Sequence, residues 1–258
     1  MFPPEIFTEI FSFLAPEARA LVACSQAHPA FVQLIEPTLY AHVVVVHDED
    51  IDDEDDYLRL KPYQLTALLA DNPRILNYLR SLCVDLFRSY DEAFMKGVIA
   101  MLPGLKLERI ELTRSRDFSN WEWFPPALHT AFVACISTSF MKEVRINYIY
   151  GIRLDFFANC AGLKRLTLFN DVLQLNNSFF DFPHLETLEL RHWTMDGDSH
   201  DFFAWLLTHA CGLRSLTFTT TKTNVIRTFL PRLLAICLTS LVNLSIYYTN
   251  GKPIYLVT

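Results

Sequence analysis

One arrangement of apolar positions recurs from residue 79 onward: an apolar residue, two variable ones, then two further apolar residues with one position between them. It reads Leu79-Leu82-Val84, Leu107-Ile110-Leu112, Met141-Val144-Ile146, Leu163-Leu166-Leu168, Leu185-Leu188-Leu190, Leu213-Leu216-Phe218 and Leu241-Leu244-Ile246. The alternation of the last two positions is the period of a half-buried strand. Middle residues of successive copies lie 28, 34, 22, 22, 28 and 28 positions apart. Helical patterns fill the intervals: DEAFMKGVIAML (91–102), PPALHTAFVACIST (125–138), SHDFFAWLLTHA (199–210) and NVIRTFLPRLLAICL (224–238). Asp91, Ser199 and Asn224 are suited to N-cap three of them. Pro231 should kink the last or restart it.

One short strand and one returning helix at this period is the signature of leucine-rich repeats, whose units run about 20 to 29 residues. A single unit cannot bury its own apolar face, whereas stacked units can. The expectation is an α/β fold in which a solenoid of parallel strands and returning helices occupies residues 62–258. The asparagine usual three positions past the last consensus leucine is absent; Phe87, Ser115, Ile149, Asp171, Trp193, Thr221 and Thr249 stand there. Irregular turns where the strands exit are therefore expected.

The first 40 residues are patterned differently. Pro3 and Pro4 suit a first helical turn, where a missing N–H loses nothing. Ile6, Phe7, Ile10, Phe11, Phe13 and Leu14 follow at helical spacing and span an arc of about 160°, wider than the roughly 100° stripe one buried face requires. A second helix opens at Pro16-Glu17 with Leu21, Val22 and Cys24; a third opens at Pro29 with Phe31, Leu34 and Ile35 and is expected to end by Pro37. Three short helices in about 40 residues are too few to fold alone. They must lean on a neighbour, a partner or both.

Charge divides the chain. Residues 48–56 read DEDIDDEDD, eight of the 29 acids; the other 21 face 22 basic residues, so the net charge of −7 belongs to this one segment. It reads as a solvated linker, 47–61, between a head and a body. The basic residues are scattered, so no nucleic-acid face is expected.

Several chemistries are excluded by what is missing. Seven glycines compare with an average usage of about 7%, and they form neither GxGxxG nor GxxxxGK[ST], so dinucleotide and P-loop sites are disfavoured. The six cysteines contain no CxxC pair, which points to reduced, buried thiols. Eight histidines show no HExxH spacing, and no GxSxG appears. DGDSHD at 196–201 fails as a calcium loop, because its glycine comes too early and Leu207 stands where the loop needs glutamate. No catalytic residue, metal or cofactor is expected. No apolar run approaches the length of a membrane span and the N-terminus has no basic region, so a cytoplasmic or nuclear protein without membrane contact is expected, and the sequons at Asn176 and Asn243 read as chance.

The opening FPPEIFTEIFSFL, followed by ALVACSQAHPAFVQLIEPTLYAHVVV, resembles the F-box, in particular its fungal variety, over residues 2 to about 46. The resemblance implies a three-helix motif, residues 1–46, that docks on a Skp-type adaptor and through it on a cullin, while the C-terminal repeats select a protein substrate for ubiquitination. Position by position it assigns Phe2, Pro3, Ile6, Ile10, Leu14, Leu21 and Val22 to the adaptor face. Phe2 stands where leucine is usual and Phe31 where tryptophan is common; both keep an apolar contact. The alternative is a leucine-rich-repeat interaction scaffold not coupled to ubiquitination.

If the repeats stack, the residues flanking the second and third apolar positions form two ladders on the open side. One is Cys83, Glu111, Arg145, Thr167, Glu189, Thr217 and Ser245; the next is Asp85, Thr113, Asn147, Phe169, Arg191, Thr219 and Tyr247. Glu111, Arg145, Asn147, Phe169, Glu189, Arg191 and Tyr247 are the candidate substrate contacts. Their mixture of hydroxyls, aromatics and both charge signs suits a protein surface better than a phosphate backbone. Glu111 and Arg145 are expected to pair across strands.

Overall fold

The computed structural model describes residues 3–15, 17–47, 57–86, 91–114, 119–152, 154–157, 159–169, 184–191, 212–220, 231–232, 234–235, 240–248 and 253–256. Phe2, the acidic run 48–56, the helical stretch 199–210 and most of 224–238 lie outside these residues.

The chain opens with helices α1 (Pro4–Phe13), α2 (Ala18–Ala27) and α3 (Pro29–Leu39). Proline sits in the first turn of α1 and of α3, where its missing N–H has no intrahelical partner to lose. His28 caps α3, its Nδ1 accepting from the Ala30 N–H at 3.1 Å. Both α1 and α2 pack on α3. The head's own core is Phe11, Ala18, Leu21, Ile35 and Leu39. Phe31 sits between Phe7 and Phe11, ring centroids 5.0 and 5.6 Å away.

The sequence predicts that the third helix stops by Pro37, and this is corrected: α3 carries Pro37 inside it and reaches Leu39. An interior proline costs about 3 kcal/mol. Burial of Ile35 and Leu39 on either side offsets it, and bonding resumes with the Tyr40 N–H on the Glu36 carbonyl at 3.0 Å.

Strands β1 (His42–Val45) and β2 (Leu58–Leu60) follow, then α4 (Pro62–Asp71), β3 (Ser81–Asp85), α5 (Glu92–Met101), β4 (Arg109–Thr113), β5 (Ser119–Asn120), α6 (Pro126–Ile136), β6 (Glu143–Asn147), β7 (Ile149–Tyr150), β8 (Arg165–Phe169), β9 (Thr187–Arg191), β10 (Ser215–Thr220), β11 (Asn243–Tyr248) and β12 (Pro253–Leu256). Ten strands form one sheet in the order β12-β11-β10-β9-β8-β6-β4-β3-β1-β2. All its pairings are parallel except β11 with β12. The protein is α/β, with six α-helices and nine parallel strands in that sheet among the described residues.

The register follows the apolar phrase. Leu82, Ile110, Val144, Leu166, Leu188, Leu216 and Leu244 stand level across neighbouring strands, as do Val84, Leu112, Ile146, Leu168, Leu190, Phe218 and Ile246. Every one of these positions is buried, and so is the leading residue of each phrase. Strand β1 extends both rows with Val43 and Val45. Tyr40-Val43-Val45 is an eighth copy of the phrase, opened by an aromatic residue instead of an aliphatic one.

The expected domain boundaries therefore move. Residues 42–45 and 58–60, placed by the sequence in the head and the linker, belong to the sheet, which begins before residue 62. Strand β2 lies at the sheet edge outside β1, so α4 leads the chain back past β1 to β3.

Helix α4 packs on α5, and α5 on α6. Their apolar residues, among them Met95, Val98, Leu128 and Phe132, join the strand residues in one core. Asp91 caps α5 as expected, accepting from the Phe94 N–H at 2.8 Å. Gly97 allows the close approach of α4 and α5, because a Cβ there would lie 2.7 Å from the Pro62 Cβ. Beyond β4 and β6 the exits are irregular: β5 and β7 pair as a second, two-stranded ladder. Tyr148 enters it with φ of 62° and Gly151 leaves it with φ of 78°. A side chain at Gly151 would meet Asn120 Oδ1 at 2.7 Å. Among the described residues no helix is long and apolar enough to cross a membrane.

Candidate functional site

The wide apolar arc of α1 divides. Its Phe11 is buried, and Phe7 and Leu14 pack against the head's core. Ile6, Ile10 and Phe13 point away and are 42%, 47% and 77% exposed. Spaced four and three apart, they lie within about 60° of one another on the helix surface, a continuous apolar stripe.

The sequence-assigned adaptor residues separate accordingly. Pro3, Ile6 and Ile10 are exposed; Leu14 and Val22 are half-buried against the head's core. Leu21 is corrected: it is fully buried inside the head and has no face to offer a partner. Phe2 lies outside the described residues. Phe13, which the assignment omitted, is the most exposed of the stripe. The arc width computed from the sequence already contained it.

The head is joined to the sheet without a spacer. Helix α3 ends at Leu39 and β1 starts at His42, and the Ala41 carbonyl accepts from the N–H groups of Arg80 and Ser81 at 3.0 and 2.9 Å. Leu58 packs against both cores. Glu36, almost wholly buried, accepts from Arg74 Nη2 at 2.8 Å. Burial, with the Glu36 carboxylate second, pushes the Tyr40 phenol up from its ordinary value.

On the sheet the two expected ladders are in register. Cys83, Glu111, Arg145, Thr167, Glu189, Thr217 and Ser245 stand level, and Asp85, Thr113, Asn147, Phe169 and Arg191 form the next row. Thr219 is level with Tyr247, whose side chain is exposed on β11. Phe169 packs on Tyr148 with centroids 4.9 Å apart. Thr167 Oγ1 lies 3.4 Å from a Glu189 carboxylate oxygen.

The expected pair of Glu111 with Arg145 is corrected. Arg145 Nε turns back along its own strand to Glu143 at 2.6 Å. Glu111 accepts from Arg109 Nη2 and from Asn147 Nδ2, both at 2.7 Å. Arg109 also approaches Glu143 at 3.9 Å. Arg109 and Glu143 come from a third row, two residues ahead of the first, which also carries His42, Ser81 and Arg165. The same alternation that marks the other two rows points to it.

While the buried Arg109 Nε has no hydrogen-bond partner among the described residues, this network pairs two cations with two carboxylates at the centre of the face. Cys83 lies beside it, and burial, with Glu111 and Asp85 next, pushes its thiol up to about 12. Burial does the same to Cys135 and Cys160. A thiol is nucleophilic as thiolate, so none of these three is poised to attack at neutral pH. Among the described residues no group of His, Cys, Asp and Glu is placed to hold a metal ion. The surfaces assembled here offer contact: an apolar stripe on the head and a hydrogen-bonded polar face on the sheet. Comparison with protein-family models, curated proteins and solved structures finds no match.

Proposed function

We propose that the chain is a non-catalytic substrate receptor of the F-box kind, whose head docks a Skp-type adaptor, and through it a cullin, while the sheet face presents a protein substrate for ubiquitination. The observation that carries this reading is the stripe Ile6, Ile10 and Phe13, an apolar surface left over after α1 has filled the head's core. Covering such side chains is worth about 25 cal/mol per Å² of apolar surface removed from water. The level rows of apolar residues support reading the sheet as a leucine-rich-repeat-like solenoid, in which each unit buries its neighbour.

In this reading Pro3, Ile6, Ile10 and Phe13 make the adaptor contact, Leu14 and Val22 contribute only edges, and Leu21 holds the helices in place behind them. The short joint between α3 and β1 fixes the direction in which the sheet face points relative to the adaptor.

Co-precipitation of the full chain with a purified Skp-type adaptor and cullin tests it. Wild type is expected to recover both, and the Ile6→Asp, Ile10→Asp double variant to recover neither while keeping the wild-type unfolding midpoint. Failure of folded wild type to recover the adaptor would overturn the reading. Recovery of the adaptor without the cullin would favour the scaffold instead.

A further inference from the structure

We propose that the edge of the sheet where β8, β9 and β10 begin is a docking site for an acidic peptide segment. This names the substrate class of the receptor and rests on the reading of the sheet face as its substrate surface. The residues just after each leading apolar position form a rim, joined by N–H to C=O bonds of 2.8 Å from Glu108 to Arg80, Lys142 to Glu108, Lys164 to Lys142, Glu186 to Lys164 and Arg214 to Glu186. Four of these six residues are cations and two are carboxylates.

The two carboxylates are unequally loaded. Glu108 lies between Lys142 at 2.7 Å and Arg80 at 3.5 Å. Glu186 takes Lys164 at 2.8 Å, and the neighbouring Arg214 and Arg165 add to the field on it. Lys164, Arg165 and Arg214, all exposed, thus surround Glu186, and the one further carboxylate level with Arg165, that of Glu143, is already taken by Arg145 at 2.6 Å. At the centre of the face, by contrast, Arg109 and Arg145 are matched by Glu111 and Glu143. The positive excess of the described sheet face collects at this corner.

The spacing selects the ligand. Arg165 on β8 and Arg214 just ahead of β10 are separated by β9, so they stand about 10 Å apart at about 4.8 Å per strand. An extended peptide advances about 3.3 Å per residue and alternates its side chains, so carboxylates two positions apart share a face about 7 Å apart, within the sideways reach of two long arginine side chains. A nucleic-acid strand brings an unbroken line of phosphates, which the interleaved Glu108 and Glu186 repel. Short acidic segments fit the alternation of signs; phosphate tracks do not.

Fluorescence anisotropy on the full chain tests this with a short labelled peptide bearing Glu at every second position, a Gln counterpart, and an oligonucleotide of equal charge. The Glu peptide is expected to bind and to weaken with added salt. Arg165→Glu with Arg214→Glu is expected to weaken it by at least about tenfold, on the scale of two exposed charge pairs. Arg165→Lys with Arg214→Lys is expected to retain most binding, and Lys96→Glu, on the exposed side of α5, all of it. Equal binding of the Gln peptide, no loss on charge reversal, or tighter binding of the oligonucleotide would each overturn the proposal. The Ile6→Asp, Ile10→Asp variant is expected to bind the peptide as wild type does, so failure at the rim and failure at the adaptor face are separately visible.

Discussion

The head and the sheet treat apolar residues in opposite ways. On β3 to β11 all three apolar positions of every phrase are buried, because each strand finds a level neighbour on either side. Along α1 and its C-cap Leu14, six apolar residues share one arc, yet only Phe11 is buried, and Ile6, Ile10 and Phe13 stand in solvent. Neighbouring strands of one sheet cover each other's apolar rows; a three-helix head has one small core and fills it with half of these six residues. The same kind of side chain is therefore core in one region and exposed apolar surface in the other.

That contrast is broken or upheld first by alanine. Ile146→Ala, in the middle of the sheet and fully buried, is expected to cost about 2 to 5 kcal/mol. Ile10→Ala, with nearly half its surface in water, is expected to cost under about 0.5 kcal/mol. Urea unfolding of the full chain reads both. Similar losses at the two sites would mean that the stripe is already covered in the free protein, and the proposed adaptor contact would lose its support.

The joint between the regions comes next. Arg74→Ala leaves the buried Glu36 carboxylate without its 2.8 Å donor, and an unsatisfied buried acceptor costs about 1 to 3 kcal/mol. Arg74 is itself half in solvent, which favours the low end of that range. Limited proteolysis before β1 should detect the loosened head. An Arg74→Ala protein with unchanged stability and cleavage would show that Leu58 and the α3-to-β1 run hold the head unaided.

How much of this was legible follows from what each pattern encodes. The apolar phrase encodes which residues share a buried row, so seven strands and their register were readable. The eighth escaped because Tyr40 opens it and because the acid-rich stretch invited a boundary where the sheet continues. Alternation also says which polar residues share a face, but not which way a long side chain turns; Arg145 and Glu111 are level, yet each bonds elsewhere. Pro37 illustrates the same limit, since local backbone chemistry forecasts a stop and the burial of Leu39 overrides it. On α1 the arc width forecast surplus apolar surface, and helical geometry then placed Phe13 within it.

A double-mutant cycle on the polar face gives the next smaller effect. Glu111 is expected to couple to Asn147 by about 0.5 to 1 kcal/mol, the scale of a partly exposed bond to a charged group, and to Arg145 by nothing measurable. Urea unfolding of Glu111→Ala, Asn147→Ala, Arg145→Ala and the two double variants reads both couplings. Coupling confined to Arg145 would restore the cross-strand pair and undo the network drawn here.

The smallest effect lies at Cys83, where the polar face meets the core. Burial is the main cause that raises its thiol to about 12, and the Glu111 carboxylate is the next. Both disfavour the thiolate, so alkylation by iodoacetamide at pH 8 is expected to be slow and to rise with pH well beyond the range of an ordinary thiol near 8.5. Glu111→Gln removes the charge but keeps the size, and is expected to speed alkylation of Cys83 by about threefold, the scale of a partly exposed charge, while Cys135, buried away from any carboxylate, keeps its rate. Peptide mapping after timed alkylation separates the two thiols. Equal acceleration at both would mean that the substitution loosens the sheet as a whole; acceleration at Cys83 alone marks the charge of Glu111 as a local feature of the open face, distinct from the packing beneath it.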